Sequence, residues 1–235
     1  MKITGLQKLT LLDYPGKVAC TVFLGGCNFR CPFCHNSDLL DGKAAALMDD
    51  TAFLDFLKKR TGLLDAVCVS GGEPTLQHEL PHFLKRIKDM GFLVKLDTNG
   101  YRPEVLQSLV EAGLVDYVAM DVKNSPSQYA ATTGLPGMDL KRIEQSLQYL
   151  IGSGIAHEFR TTVVEELHSE DSILEMGRWL ADLAAPKKPE KLFLQCFADR
   201  ESVLLPGLHA PETKTLEKYV EILTPYVGQI AIRGV

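Results

Sequence analysis

The sequence is poor in the features that mark membranes, export and nucleic-acid binding. No apolar run reaches the ~18 residues a membrane span needs, and the start MKITGLQKLTLLDYPGK has no continuous apolar core of the signal-peptide kind. Basic clusters are missing too. The 25 Lys and Arg against 30 Asp and Glu leave a net charge of −5, which offers no general phosphate-binding surface, so neither nucleic acid nor a membrane is an expected partner. There is no internal repeat, no low-complexity stretch and no linker strong enough to split the chain. Disorder, collagen and coiled coil are excluded, and the expectation is a cytoplasmic globular protein. In a reducing compartment its six cysteines suit a metal or redox site better than a disulfide framework.

What is present is an alternation of short β-branched runs with amphipathic stretches. VACTVFL (18–24), AVCVS (66–70), FLVKLDTN (92–99), YVAMDVK (117–123), FRTTVV (159–164) and KLFLQC (191–196) read as six strands. Helical spacing recurs near 51–60, 79–90, 103–112, 139–151, 171–184 and 211–226. Asp50 or Thr51, Pro103, Ser169 with Asp171, and Pro211 with Glu212 supply start signals, and Gly91, Gly113 and Gly152 or Gly154 supply stops. Strict alternation implies a parallel sheet covered by helices with right-handed crossovers. Six units are too few for an eight-stranded barrel, and no GxGxxG follows the first strand. The expected fold is therefore α/β, a partial (β/α)6 TIM-like barrel. The chain reads as one domain over 1–235, with a lead-in at 1–16, six βα units at 17–197, and a C-terminal loop and helix at 198–235.

In parallel α/β folds chemistry collects where strands end. Here GGCNFRCPFCHN follows the first strand, GGEPT the second, DTNG closes the third and D-x-K the fourth. Cys27, Cys31 and Cys34 form C-x3-C-x2-C, whose thiolates suit zinc or an iron–sulfur cluster. Cys20, Cys68 and Cys196 lie in or at the ends of apolar strands, where thiols act as small buried hydrophobes. Rival readings stay open at this point. Cys31–Cys34 resembles a thioredoxin-like pair but leaves Cys27 unexplained; C-x-x-C-H resembles haem attachment but needs export; His35 as a fourth ligand would make a zinc knuckle. The spacing favours iron–sulfur over zinc.

The cysteine spacing with aromatic Phe33, followed by Ser70-Gly71-Gly72-Glu73-Pro74, Leu96-Asp97-Thr98-Asn99-Gly100 and Met120-Asp121-Val122-Lys123, resembles the radical S-adenosylmethionine (SAM) activating enzymes of glycyl-radical enzymes. Gly5-Leu6-Gln7-Lys8 and Asp13-Tyr14-Pro15-Gly16-Lys17 are similar to the group that activates anaerobic ribonucleoside-triphosphate reductase. The resemblance runs from the first residues to about Gln195. It implies the radical SAM fold and a [4Fe-4S] cluster held by Cys27, Cys31 and Cys34, whose open iron binds SAM. Reductive cleavage then gives methionine and a 5′-deoxyadenosyl radical.

The same resemblance assigns Gly71, Gly72 and Glu73 to the methionine moiety, and Phe33 with the Cys34–His35 backbone to adenine. Asp97 and Asp121 end neighbouring strands, and uncompensated they would raise each other's pKa. The ammonium of SAM is one compensation. The other is a monovalent cation, held in some relatives by groups matching Asp97, Thr98 and Asp121. Helix capping is the rival role for Thr98 and Asn99. Lys123, on the strand face of Asp121, is read as pairing with a substrate carboxylate, assisted by Arg160, unless Arg160 pairs with Asp121 or Glu158. His78, His82, His157, His168 and His209 read as surface or capping residues, and Trp179 as core.

One departure concerns the stretch Gln195-Cys196-Phe197-Ala198, which lacks the histidine that pyruvate formate-lyase activating enzyme uses for ribose. Gln195 is the substitute candidate. The implied activity is an activase that takes a Cα hydrogen from a glycine of a partner protein, with Asp13–Gly16 guiding the entering loop and flavodoxin or ferredoxin as electron donor. The competing readings are activation of another glycyl-radical enzyme such as pyruvate formate-lyase, a small-molecule or peptide substrate, and a non-catalytic zinc or iron–sulfur module.

Overall fold

The continuous apolar runs become strands in the computed structural model, which describes residues 1–200 and 202–234. Glu201 and Val235, both within the expected C-terminal stretch 198–235, lie outside the described residues. Backbone contacts gather into two compact units, Met1–Asn28 with Asp38–Ala119, and Phe29–Ser37 with the chain from Met120 on.

The first unit holds β1 (Lys2–Thr10), β2 (Ala19–Leu24), β3 (Met48–Asp49), β4 (Ala66–Gly71), β5 (Leu93–Thr98) and the first three residues of β6 (Tyr117–Asp121), in the order β3-β1-β2-β4-β5-β6. β2, β4 and β5 pair in parallel, with Thr21 opposite Cys68 and Cys68 opposite Lys95. Three helices accompany them: α1 (Asp50–Lys58), α2 (Leu80–Asp89) and α3 (Pro103–Glu111). Their buried residues repeat at three and four, as in Leu80, Phe83, Leu84 and Ile87. The cap of α1 is Asp49, one residue before Asp50 and two before Thr51, the two expected signals, and it accepts from the Ala52 amide at 2.8 Å.

The second unit holds the end of β6 with β7 (Ala156–Val163), β8 (Lys191–Cys196) and β9 (Gln229–Arg233), in that order, and β7–β8–β9 are parallel. Its helices are α4 (Tyr129–Thr133), α5 (Leu140–Ser153), α6 (Glu170–Ala184) and α7 (Thr213–Leu223). Ser169 opens α6 through a reciprocal capping box with Ser172. The expected α/β class, parallel strands covered by helices, is what forms.

Three strands depart from the six expected. β1 is antiparallel to β2, and its register shifts after Ile3 and Gln7 break the alternation that would have marked it in 1–16. β3 is two residues long, and β9 follows the helix of the stretch expected to hold only a C-terminal loop and helix. A second departure lies at 13–16. Tyr14 packs among Ala19, Ala66, Cys68 and Tyr117, where parallel strands begin, with its ring 5.7 Å from that of Tyr117. Asp13 accepts from the Thr21 hydroxyl. Of the expected guide for a substrate loop, Tyr14 is thus a plug at the strands' N-terminal ends, while Pro15 and Gly16 stay exposed.

Candidate functional site

In the first unit the loops after β2, β4 and β5 are laced together by backbone groups. Gly72 N donates to Leu24 O and Glu73 N to Gly26 O, both at 2.8 Å. Gln77 Nε2 donates to Gly25 O at 2.8 Å. Such closeness demands glycine: a Cβ on Gly71, whose φ is +119°, would lie 2.2 Å from Leu24 O, and one on Gly72 would lie 2.1 Å from Gly26 O and 3.3 Å from Cys27 Cβ.

Glu73 turns inward and is 0% exposed. One carboxylate oxygen accepts from Thr75 N, Thr75 Oγ1 and Thr98 Oγ1, the other from Asn99 N at 2.7 Å. Burial raises its pKa, opposed by these donors. Its side chain therefore ties the β4 and β5 ends together, and what this loop presents outward is backbone. Thr98 and Asn99 serve that tie rather than capping a helix: α3 has Arg102 at its cap position. Asn99 Nδ2 donates to Asn28 Oδ1 at 2.9 Å and lies 3.9 Å from Cys27 Sγ. Asn28 Nδ2 is buried without a hydrogen-bond partner.

Asp97 and Asp121 are not uncompensated. Lys95, 2% exposed and two residues before Asp97 on the same strand face, puts Nζ 2.5 Å from Asp97 Oδ1. In the second unit Lys123 Nζ meets Asp121 Oδ2 at 2.8 Å, while Arg160 Nε and Nη2 meet Oδ1 at 2.9 and 2.8 Å. Burial opposes ionisation of Asp121, but Arg160 and then Lys123 outweigh it and hold its pKa down at about 2. Burial works against the Lys123 ammonium also, and Asp121 outweighs it, so that pKa is raised. Arg160 thus takes the ion-pair role with Asp121, and Glu158 pairs instead with Arg233, at 2.8 and 3.0 Å.

Lys123 also lies over the Phe33 ring, 5.8 Å from its centroid, and Cys31 is among the groups that favour its charge. Cys31 and Phe33 are buried; Cys34 and His35 are partly exposed. Burial pushes the Cys34 thiol up, against the lowering influence of the Asn36 amide, Lys123 and Arg30. The loop is held on both sides: Arg30 N donates to Thr133 O, and Leu205 N to Pro32 O. The His35 ring stacks on Phe197 at 5.4 Å and donates from Nε2 to Ala198 O at 2.6 Å. Ser202 Oγ donates to His35 O. His35 therefore turns Nε2 and one ring face to the segment after β8.

The profile of the Radical SAM superfamily matches residues 21–180. A Methanocaldococcus jannaschii protein carrying the name of a glycyl-radical enzyme activating enzyme is 32% identical over 243 residues, covering 99% of this chain and 96% of that protein. The chain is a radical SAM enzyme of the glycyl-radical enzyme activating family. The pyruvate formate-lyase 1-activating enzyme of Escherichia coli is 28% identical, covering 96% of each. Among solved structures, a domain of pyruvate-formate lyase-activating enzyme from Bacteroides vulgatus gives a TM-score of 0.56 at 21% identity, over 72% of this chain and 99% of that one. The AdoMet-bound anSMEcpe gives 0.63 at 14% identity, over 89% and 62%. These likenesses establish the fold.

Membership of this superfamily implies a [4Fe-4S] cluster and SAM. Among the described residues no group of three or more His, Cys, Asp or Glu side chains is already gathered as a metal site, and none of the six cysteines is in a disulfide. The donors are of the right kind for the implied groups: soft thiols at 27, 31 and 34, a glycine cradle with no room for a Cβ, and the unsatisfied Asn28 amide beside Cys27. Cys20 and Cys68 are fully buried, which pushes both thiols up to about 12 and leaves them neutral. Cys196 is only partly buried, short of the burial expected of it.

Sequence reasoning missed Lys95, Asn28 and His168. Val164 N donates to His168 Nδ1 at 3.1 Å, so Nε2 carries the proton and donates to Lys123 O at 3.0 Å. That histidine is buried rather than at the surface or capping a helix, and burial lowers its pKa. Its one legible signal was its place immediately before the Ser169 cap.

Proposed function

We propose that this radical SAM protein generates a glycyl radical on a partner enzyme, and that Cys27, Cys31 and Cys34 hold its cluster. The observation that carries the reading is the concentration of Lys123, Asp121 and Arg160 beside Phe33 and Cys31 in one unit, with the Gly71–Gly72 cradle beside Cys27 in the other. When bound, the cluster and SAM supply reductive cleavage of a sulfonium, and with it the carbon radical that takes a hydrogen atom from glycine.

The chain's residues bind and orient. The Asp121–Lys123–Arg160 triad sums to one positive charge, suited to the carboxylate of SAM. The glycines offer backbone amides and carbonyls at close approach. Phe33 and the Cys34–His35 backbone are the adenine contacts we propose, and Gln195 the ribose contact. Flavodoxin or ferredoxin is the donor implied by the resemblance. Anaerobic ribonucleoside-triphosphate reductase is the partner favoured by the sequence pattern, and relatives named for pyruvate formate-lyase make that enzyme the second arm of the test.

The experiment is anaerobic reconstitution followed by electron paramagnetic resonance of the reduced protein with and without SAM. A spectrum perturbed by SAM, 5′-deoxyadenosine release, and a glycyl-radical signal on added reductase but not on pyruvate formate-lyase are expected. An unchanged spectrum with no 5′-deoxyadenosine rejects the activase. Iron content should survive Cys20→Ala and fall on Cys31→Ala.

A further inference from the structure

The cation expected near Asp97, Thr98 and Asp121 meets a set of ligands already engaged by the chain itself. Asp97 Oδ1 is taken by Lys95 Nζ. The Thr98 hydroxyl donates to Glu73 Oε1 at 2.8 Å and accepts from Gly100 N at 3.1 Å. Asp121 gives one oxygen to Lys123 and the other to Arg160. A hard monovalent ion needs several oxygens turned toward it and little positive charge nearby. Here each carboxylate faces an ammonium or a guanidinium instead, so these residues do not fit the ion.

Lys95 is what makes the difference in the first unit. Its whole side chain is buried at 2% exposure, opposite Cys68 in the strand register. That thiol is neutral, so Asp97 is the acid bound to the ammonium there. An isolated ammonium in such a place is costly, and an apolar side chain of similar volume would fill the space without that cost. A compact ammonium resembles a potassium ion in charge and size, with the advantage that it is tethered and loses no translational freedom when SAM arrives.

We propose that Lys95 is a built-in replacement for the monovalent cation: its tethered ammonium neutralises and positions Asp97, so the SAM site works without sodium or potassium. The inference rests on the SAM reading above and extends it.

The test uses the reconstituted full chain in sodium, potassium or choline chloride at equal ionic strength. SAM affinity is measured by calorimetry, and melting temperature is followed without SAM. For the wild type the expected dissociation constant and melting temperature are the same in all three salts. Lys95→Met is expected to bind SAM at least tenfold more weakly in choline, to recover in potassium or sodium, and to melt higher in those salts than in choline. Tenfold tighter SAM binding by the wild type in sodium or potassium overturns the proposal, as does wild-type affinity of Lys95→Met in choline. Should Lys95→Met fail to fold, the wild-type salt series decides alone. If SAM binds in no salt, the activase reading falls, and the melting series still judges Lys95: a wild-type melting temperature raised by sodium or potassium over choline counts against it.

Discussion

At Asp121 two cationic groups, Lys123 and Arg160, meet on one carboxylate, and the consequence can be read against pH. Its folded pKa of about 2 lies below the ~3.9 of an unfolded aspartate. A depressed carboxylate pKa stabilises the folded state fully above the unfolded value, and that contribution is lost as pH falls from there toward 2. Asp121→Asn removes it and leaves Arg160 and Lys123 facing a neutral amide. Urea unfolding should show the variant less stable than wild type at pH 6, with the gap closing between about pH 4 and pH 2. A gap that stays constant to pH 2 sinks this account. The shared face of i and i+2 places Lys123 beside Asp121, but the sequence reading assigns that lysine to a substrate carboxylate; the Arg160–Asp121 pair is one of the alternatives it names, and only the structure decides for it. Lys95 shows the same limit. A lysine inside an apolar strand reads as an exposed residue until Asp97, two positions on, is seen to claim it.

Elements were most legible where local chemistry sets their ends. The expected helix over 171–184 begins within one residue of α6 because Ser169 caps it, and α3 begins at Pro103 as expected, since proline suits a first turn. β9 and β1 were invisible because each depends on a partner strand: β9 is mostly half-exposed, and β1 is broken by shifts in register. α4 is five residues long, too short for any periodic signal. Between elements the tightest requirement is at the end of β4. Adding one methyl at Gly72 drives a Cβ to 2.1 Å from Gly26 O and 2.7 Å from its carbon. Because both are backbone, no rotamer relieves the clash. Gly72→Ala should cost about 1–3 kcal/mol by overpacking, read as a lower urea midpoint with an unchanged slope, and should weaken iron retention by displacing the loop that starts at Gly26. Unaltered stability and iron content would mean that the loop yields freely and the cradle is not tight.

At the scale of the whole molecule the division of labour runs along the strands of the first unit. Cys27, Gly72 and Asn99 follow strand C-terminal ends, whereas Tyr14 sits where β2 and β4 begin. Five rises along β2, from Ala19 to Leu24, separate these ends by about 16 Å at ~3.3 Å per residue. Burial first, then Asp116 and Cys68, push the Tyr14 phenol up to about 12, as suits a ring that closes a core rather than one that meets a partner. The sequence reading assigns to Asp13–Gly16 the guiding of an entering loop; the antiparallel return of β1 onto β2 carries the segment to the far end, where Tyr14 is buried while Pro15 and Gly16 stay exposed. Tyr14→Leu should therefore destabilise the protein by about 0.5–3 kcal/mol while SAM affinity and the rate of glycyl-radical formation, per folded molecule at a temperature well below melting, stay within twofold of wild type. A tenfold rise in the KM for the partner enzyme, with stability untouched, would return this segment to the partner's path and overturn its assignment to the core.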